Sequence, residues 1–234
     1  MKKLFLLFTA LAAISIINAQ SLDAILKQYS TAMNSDKLSS IKTIKITGKM
    51  SAMGMEMPMV MQMKNPDKIK VTYSFNGMEM VSVFDGIKGY TMNPMMGSAE
   101  PIELKGEQLN QVKNNNMFTN QLQEYNKKKQ LTLEGVEDVN GKPANKLKIT
   151  LEGGNPIYMF VDKASGLIVK STTKVDQMGT LVDVETYMTD YTDNHGVIMP
   201  KKTIAKMNGM EAGVISFDLI EVDVPMDDSI FKIK

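Results

Sequence analysis

Eight turn signals break the chain between residues 65 and 209 into short segments, and few folds accommodate that rhythm. They are Asn65-Pro66-Asp67, Asn76-Gly77, Asp85-Gly86, Asn140-Gly141, Gly153-Gly154, Ser165-Gly166, Asn194 to Gly196 and Asn208-Gly209. Asn-Gly and Asp-Gly tolerate the positive φ angles of two-residue hairpin turns. The segments between them run with period two, as in Ile44-Lys45-Ile46-Thr47 and Val71-Thr72-Tyr73-Ser74-Phe75, the alternation of half-buried strands. Strands joined by such turns make an antiparallel meander, here of roughly ten or more strands, and a sheet that extensive curves strongly or closes into a barrel.

Two segments depart from that rhythm. Residues 21–34 read as a helix: Ser21 can cap it, Asp23 sits in the first turn, and Leu22, Ile25, Leu26, Tyr29 and Met33 recur at helical spacing. Residues 103–129 are rich in Gln, Asn, Glu and Lys, with Leu109, Val112, Phe118, Leu122 and Tyr125 spaced for one or two short helices. A helical insert midway through a meander is placed to cover one mouth or face of the sheet. The expected class is therefore mainly β with helices (α+β).

The first residues carry a separate message. Lys2 and Lys3 precede an uncharged apolar run over residues 4–17, and Ile17-Asn18-Ala19 offers a small residue before Gln20. That is the pattern of a secretory signal cleaved near Ala19, and the run is too short for a resident span. Removing it leaves 215 of 234 residues, which fits one domain over 20–234. The segment holds two of the 27 basic residues, so 25 remain against 26 acidic ones, and no later stretch is apolar enough to be transmembrane. All the basic residues are lysine. Without arginine, the preferred group for bidentate phosphate and base-edge contacts, nucleic acid is an unfavoured partner. With no cysteine there is no disulfide, no thiolate ligand or nucleophile, and no acceptor for a lipoprotein anchor. The expected location is the periplasm, untethered.

Met53, Met55, Met57, Met59, Met61 and Met63 alternate without a gap, among 22 methionines in all. On one strand all six thioethers share a face. Met78 and Met80 follow the next hairpin signal. Three readings stand open: flexible methionines filling an irregular core, an adaptable hydrophobic cavity for ligands of variable shape, or a soft Cu(I) site on Met55, Met57 and Met59. The single histidine, His195, lies in a turn far along the sequence, and six alternations resemble a lined surface more than two or three ligands. Pro58 lacks a ladder donor, so this strand is expected at an edge or bulged. No catalytic constellation, phosphate loop or calcium loop is present in the sequence, which favours a binding protein over an enzyme and calls for no cofactor.

Residues 80–98 (MVSVFDGIKGYTMNPMMGS), 137–150 (EDVNGKPANKLKIT), 158–166 (YMFVDKASG), 184–200 (VETYMTDYTDNHGVIMP) and 227–232 (DDSIFK), with the exported start and the N-terminal helix, resemble the LolA-like outer-membrane lipoprotein-sorting proteins of the Bacteroidetes type. The resemblance runs over nearly all of the mature chain. It implies a half-barrel whose concave apolar face is covered by the N-terminal helix and the mid-chain insert. It also implies a carrier that shelters acyl chains between an inner-membrane transporter and an outer-membrane acceptor. The side chains expected at that cavity are Met53, Met55, Met57, Met59, Met61 and Met63, with Met78, Met80, Tyr73 and Phe75. The arginine latch and cavity tryptophans of proteobacterial carriers have no counterpart in a chain without Arg or Trp. Tyr90 stands where such relatives often carry an aromatic. The alternatives to a lipid carrier are a methionine-rich Cu(I) protein and an envelope interaction module.

Overall fold

Thirteen strands form one sheet in the computed structural model, which describes residues 20–113, 116–177 and 179–232. The expected signal segment lies outside the described residues. A first meander comprises β1 (Thr43–Ala52), β2 (Met55–Lys64), β3 (Lys68–Phe75), β4 (Met78–Phe84), β5 (Gly89–Asn93) and β6 (Ser98–Leu104). A second comprises β7 (Leu131–Val139), β8 (Lys142–Ile149), β9 (Ile157–Asp162), β10 (Ile168–Gln177), β11 (Thr180–Asn194), β12 (Val197–Met207) and β13 (Met210–Val222). Neighbours pair antiparallel, and one seam, β1 against β13, joins the two halves. The spatial order is β6-β5-β4-β3-β2-β1-β13-β12-β11-β10-β9-β8-β7, a curved sheet that does not close.

The turns follow the sequence signals. Asn76-Gly77, Asn140-Gly141 and Asn208-Gly209 each hold two successive positive φ angles, as two-residue hairpins of matching twist require. At the seam the register shifts between Thr47 and Gly48, and a Cβ on Gly48 would overlap the Ser216 carbonyl oxygen. Only glycine allows so close an approach.

Because β6 and β7 are opposite edges, residues 105–130 must travel from one edge to the other. They do so through α3 (Gly106–Lys113) and α4 (Gln121–Lys127). Val112 and Leu109 of α3 pack on Phe84 and Leu104, while Leu122 and Tyr125 of α4 pack with Leu131 and Leu147. The N-terminal helix α1 (Leu22–Ala32) starts where expected, with the Ser21 hydroxyl oxygen accepting the Ala24 N–H at 3.2 Å. Its Ile25, Leu26 and Tyr29 are buried against Leu147, Ile149 and Val161. The turn after β9 receives it: Gln28 Nε2 donates to the Lys163 carbonyl at 3.0 Å, and any Cβ on Gly166 (φ +74°) would press on Gln28. A short helix α2 (Ser35–Leu38) follows, which the sequence pattern does not announce.

The expectation for Pro58 needs correction. Strand β2 is interior, between β1 and β3, and no register shift falls at the proline. Pro58 faces Lys49 of β1, while pairing with β3 begins only at Met59. The missing donor is tolerated because the proline stands just outside that second ladder.

Candidate functional site

Register assigns the faces of the sheet. Ile44, Ile46, Gly48 and Met50 of β1 stand opposite Met63, Met61, Met59 and Met57 of β2. Met59, Met61 and Met63 in turn face Tyr73, Val71 and Ile69 of β3. Across the next ladder Ile69, Tyr73 and Phe75 face Phe84, Met80 and Met78 of β4. Directly paired residues share a face, so Met55, Met57, Met59, Met61, Met63, Tyr73, Phe75, Met78 and Met80 belong to one apolar surface that crosses four strands.

That surface is graded along the strands. At the end near the 65–67 turn, Met59 (1 % exposed) and Met63 (0 %) are core residues, packed with Ile44, Ile46 and Ile69. Leu38, Ile41 and Phe118 cover them, with Met61 and Met117 half-buried alongside. Each buried methionine contributes about 1.5–3 kcal/mol through area removed from water. Toward the other end the cover thins: Met57 is still buried, Met50, Tyr73, Phe75 and Met80 are half-buried, and Met55 and Met78 are open at the lip. Burial pushes the Tyr73 phenol above its ordinary pKa, so its ring joins the surface as a neutral group.

Met53 does not belong to this face. With φ +51° it forms the β1–β2 turn together with Gly54 and is 93 % exposed. The alternation that places six methionines on one side ends where the strand ends. Of the three residues considered for copper, Met57 and Met59 are buried, Met59 within the hydrophobic core, and Met55 is exposed. No group of three or more His, Asp or Glu stands together among the described residues. His195 is in the β11–β12 turn, where Asp193 Oδ1 accepts the Gly196 N–H at 2.6 Å.

Sequence reasoning missed three contributors. Met50 faces Met57 from the next strand, and its signal was the even-position alternation begun by Ile44 and Ile46. Ile215 and Phe217 reach the same cluster from β13; nothing short of the β1–β13 pairing connects them to the methionines.

The opposite face is different in kind. Lys146 lies over the Tyr158 ring, Lys170 over Tyr187, and Lys206 over Tyr187, with nitrogen-to-centroid distances of 4.8, 5.1 and 5.1 Å. A cavity of about 490 Å³ opens beside Tyr158, Thr172, Lys174, Asp183 and Glu185. Lys174, Asp183 and Glu185 line it together with Pro156, Tyr158 and Val184, and no residue of the methionine face reaches it.

No protein-family model matches this chain, and no curated relative matches it by sequence. Solved structures do. A DUF1329 family protein from Desulfovibrio piger is 14% identical and superposes with a TM-score of 0.63, over 89% of this chain and 97% of that one. A domain described as outer membrane lipoprotein-sorting, from Vibrio parahaemolyticus, gives 0.61 at 12% identity, over 88% and 95%. A LolA superfamily protein from Nitrosomonas europaea gives 0.55 at 13% identity, over 87% and 97%. The chain has the LolA-like fold.

Proposed function

We propose that this chain is a periplasmic binding protein that shelters the acyl chains of lipids or lipoproteins on its methionine face. The observation that carries the reading is the gradient across that face. One unbroken apolar surface is sealed at one end beneath Leu38, Ile41 and Phe118 and open at the other through Met55 and Met78. Residues 1–19 act as the cleaved signal, and 20–234 as one domain. An acyl chain in water forgoes about 0.8 kcal/mol per CH₂, so crossing an aqueous gap requires such a surface.

In this reading Met57, Met59, Met61, Met63, Tyr73, Phe75 and Met80 contact the chain, with Met55 and Met78 at the entrance. Unbranched thioether side chains suit cargo that must enter and leave without one fixed fit. Leu38 and Ile41 after α1 and Phe118 of the insert cover the methionine face, while α1 and α4 lie over β7–β9, and Phe118 holds the place an acyl chain takes when loaded. The protein is a carrier, not an enzyme, between an inner-membrane donor and an outer-membrane acceptor. The fold it shares with a domain described as outer membrane lipoprotein-sorting supports that role.

Native mass spectrometry of the protein purified from its own periplasm, followed by organic extraction, tests this. Acyl lipid or lipoprotein should co-purify, and be lost from a folded Met57→Asp variant. An unloaded mass that acquires nothing from added lipoprotein would rule the carrier out.

A further inference from the structure

Because the strands alternate in direction, the β1–β2, β3–β4, β5–β6, β8–β9, β10–β11 and β12–β13 turns all fall at one end of the sheet, and all but β8–β9 carry exposed apolar residues. Exposed apolar side chains gather there: Met53, Met55, Met78, Met95, Leu181 and Met210, the last 74 % exposed. Nearer the opposite end, Ile87 is the one exposed large apolar residue in a turn among the described residues, and Ile102, Val136 and Leu219 are exposed within strands, none of them at a hairpin tip. Isolated exposed apolar groups are ordinary; a row of them on successive hairpin tips is not.

Met53 adds an independent observation. The Asn76-Gly77, Asn140-Gly141 and Asn208-Gly209 hairpins have first-position φ angles of 50°, 54° and 49°, and Met53-Gly54 has 51° and 76°. The φ angles match at all four turns, yet here the left-handed position holds methionine. Asparagine is tolerated at such an angle through its short polar side chain, and methionine lacks that compensation. Folding alone would be better served by asparagine. A locally unfavourable residue that is also almost wholly exposed points to a role outside the fold.

We propose that this rim seats the protein on a lipid bilayer, the tip methionines entering its interfacial layer. This rests on the acyl-chain reading, since Met55 and Met78 belong both to the rim and to the entrance of the methionine face. A bilayer fits better than a protein partner because the apolar groups sit on separate tips, interrupted by Glu56, Glu79 and Glu211. A fluid interface accepts scattered side chains without a matching contour, whereas a protein interface needs a contiguous, complementary patch. Those carboxylates give an anionic surface no advantage, so the contact is hydrophobic and not a polybasic one.

Flotation of the mature protein with phosphatidylcholine vesicles tests the proposal. Wild type should float, and a Met53→Asn, Met210→Gln variant should partition on the order of tenfold less or weaker. The variant should keep its thermal midpoint and its uptake of a soluble acyl probe. No flotation of wild type, or equal flotation of the variant, would overturn it. So would stronger binding on adding phosphatidylglycerol, or a wild-type dimer that the same substitutions abolish. Failure of the acyl-chain reading shows separately, as wild type that takes up no probe.

Discussion

At the residue scale the seam depends on one missing side chain. Strand pairing between the two meanders runs through β1 and β13, and at the bulge the β13 backbone occupies the space above Gly48. Gly48→Ala forces the strands apart where neither has a flexible side chain to yield. Overpacking of this kind costs about 1–3 kcal/mol, so the urea midpoint should fall accordingly. An unchanged midpoint would mean that the bulge absorbs the methyl group. No local pattern announces this glycine, since its neighbour Ser216 is 168 positions away in the sequence. The methionines were more legible. Period two correctly groups Met55 to Met63, because strand alternation is a local property. It fails for Met53 because Met-Gly is not among the dipeptides that signal a turn, although the φ angles there match those of the Asn-Gly hairpins.

At the scale of elements, the insert is the informative case. Its composition marked residues 103–129 as leaving the meander and the apolar spacing marked short helices; the excursion begins two residues later, because Glu103 and Leu104 still pair within β6. What it spans follows only from topology: β6 and β7 are opposite edges, so the segment must cross. Phe118 lies in the methionine cluster midway along that crossing. Phe118→Ala should cost roughly 3–5 kcal/mol of packing while tightening uptake of a soluble acyl probe, because the space it leaves lies on the proposed path. A variant that is less stable and binds probe no better would assign Phe118 to the core alone. Both edges also carry features that discourage pairing with another sheet: Pro101 within β6, and in β7 a register shift at Gly135 with φ +135°. The exposed ends of so long a sheet are thus poor templates for aggregation.

At the scale of the whole molecule, the C-terminal segment straps the seam. After β13 the chain turns back beneath β1: Asp223 Oδ1 accepts the Lys42 N–H at 2.7 Å, and the Thr43 hydroxyl donates to the Val224 carbonyl at 2.6 Å. It then reaches β2 and β3, where Asp228 pairs with Lys64 at 2.6 Å and Lys68 at 2.8 Å, and Phe231 is buried. Hydrogen bonds from those two lysines bring the Asp228 carboxyl down to about 2, against about 3.9 for an unfolded aspartate. A folded pKa below the unfolded one gives stability that is fully present above the unfolded value and lost as pH falls through the folded one. The wild-type melting temperature should therefore hold down to about pH 4 and fall between about pH 4 and pH 2. Other carboxylates titrate there too, notably Asp227, whose pKa the Ser229 hydroxyl and N–H also lower, so the contrast with Asp228→Asn is the decisive measurement. That variant should melt lower at neutral pH and lose less on acidification, its curve converging on wild type near pH 2. Parallel curves would mean that the two lysines do not hold the strap, leaving the seam to Thr43, Asp223 and the buried Phe231.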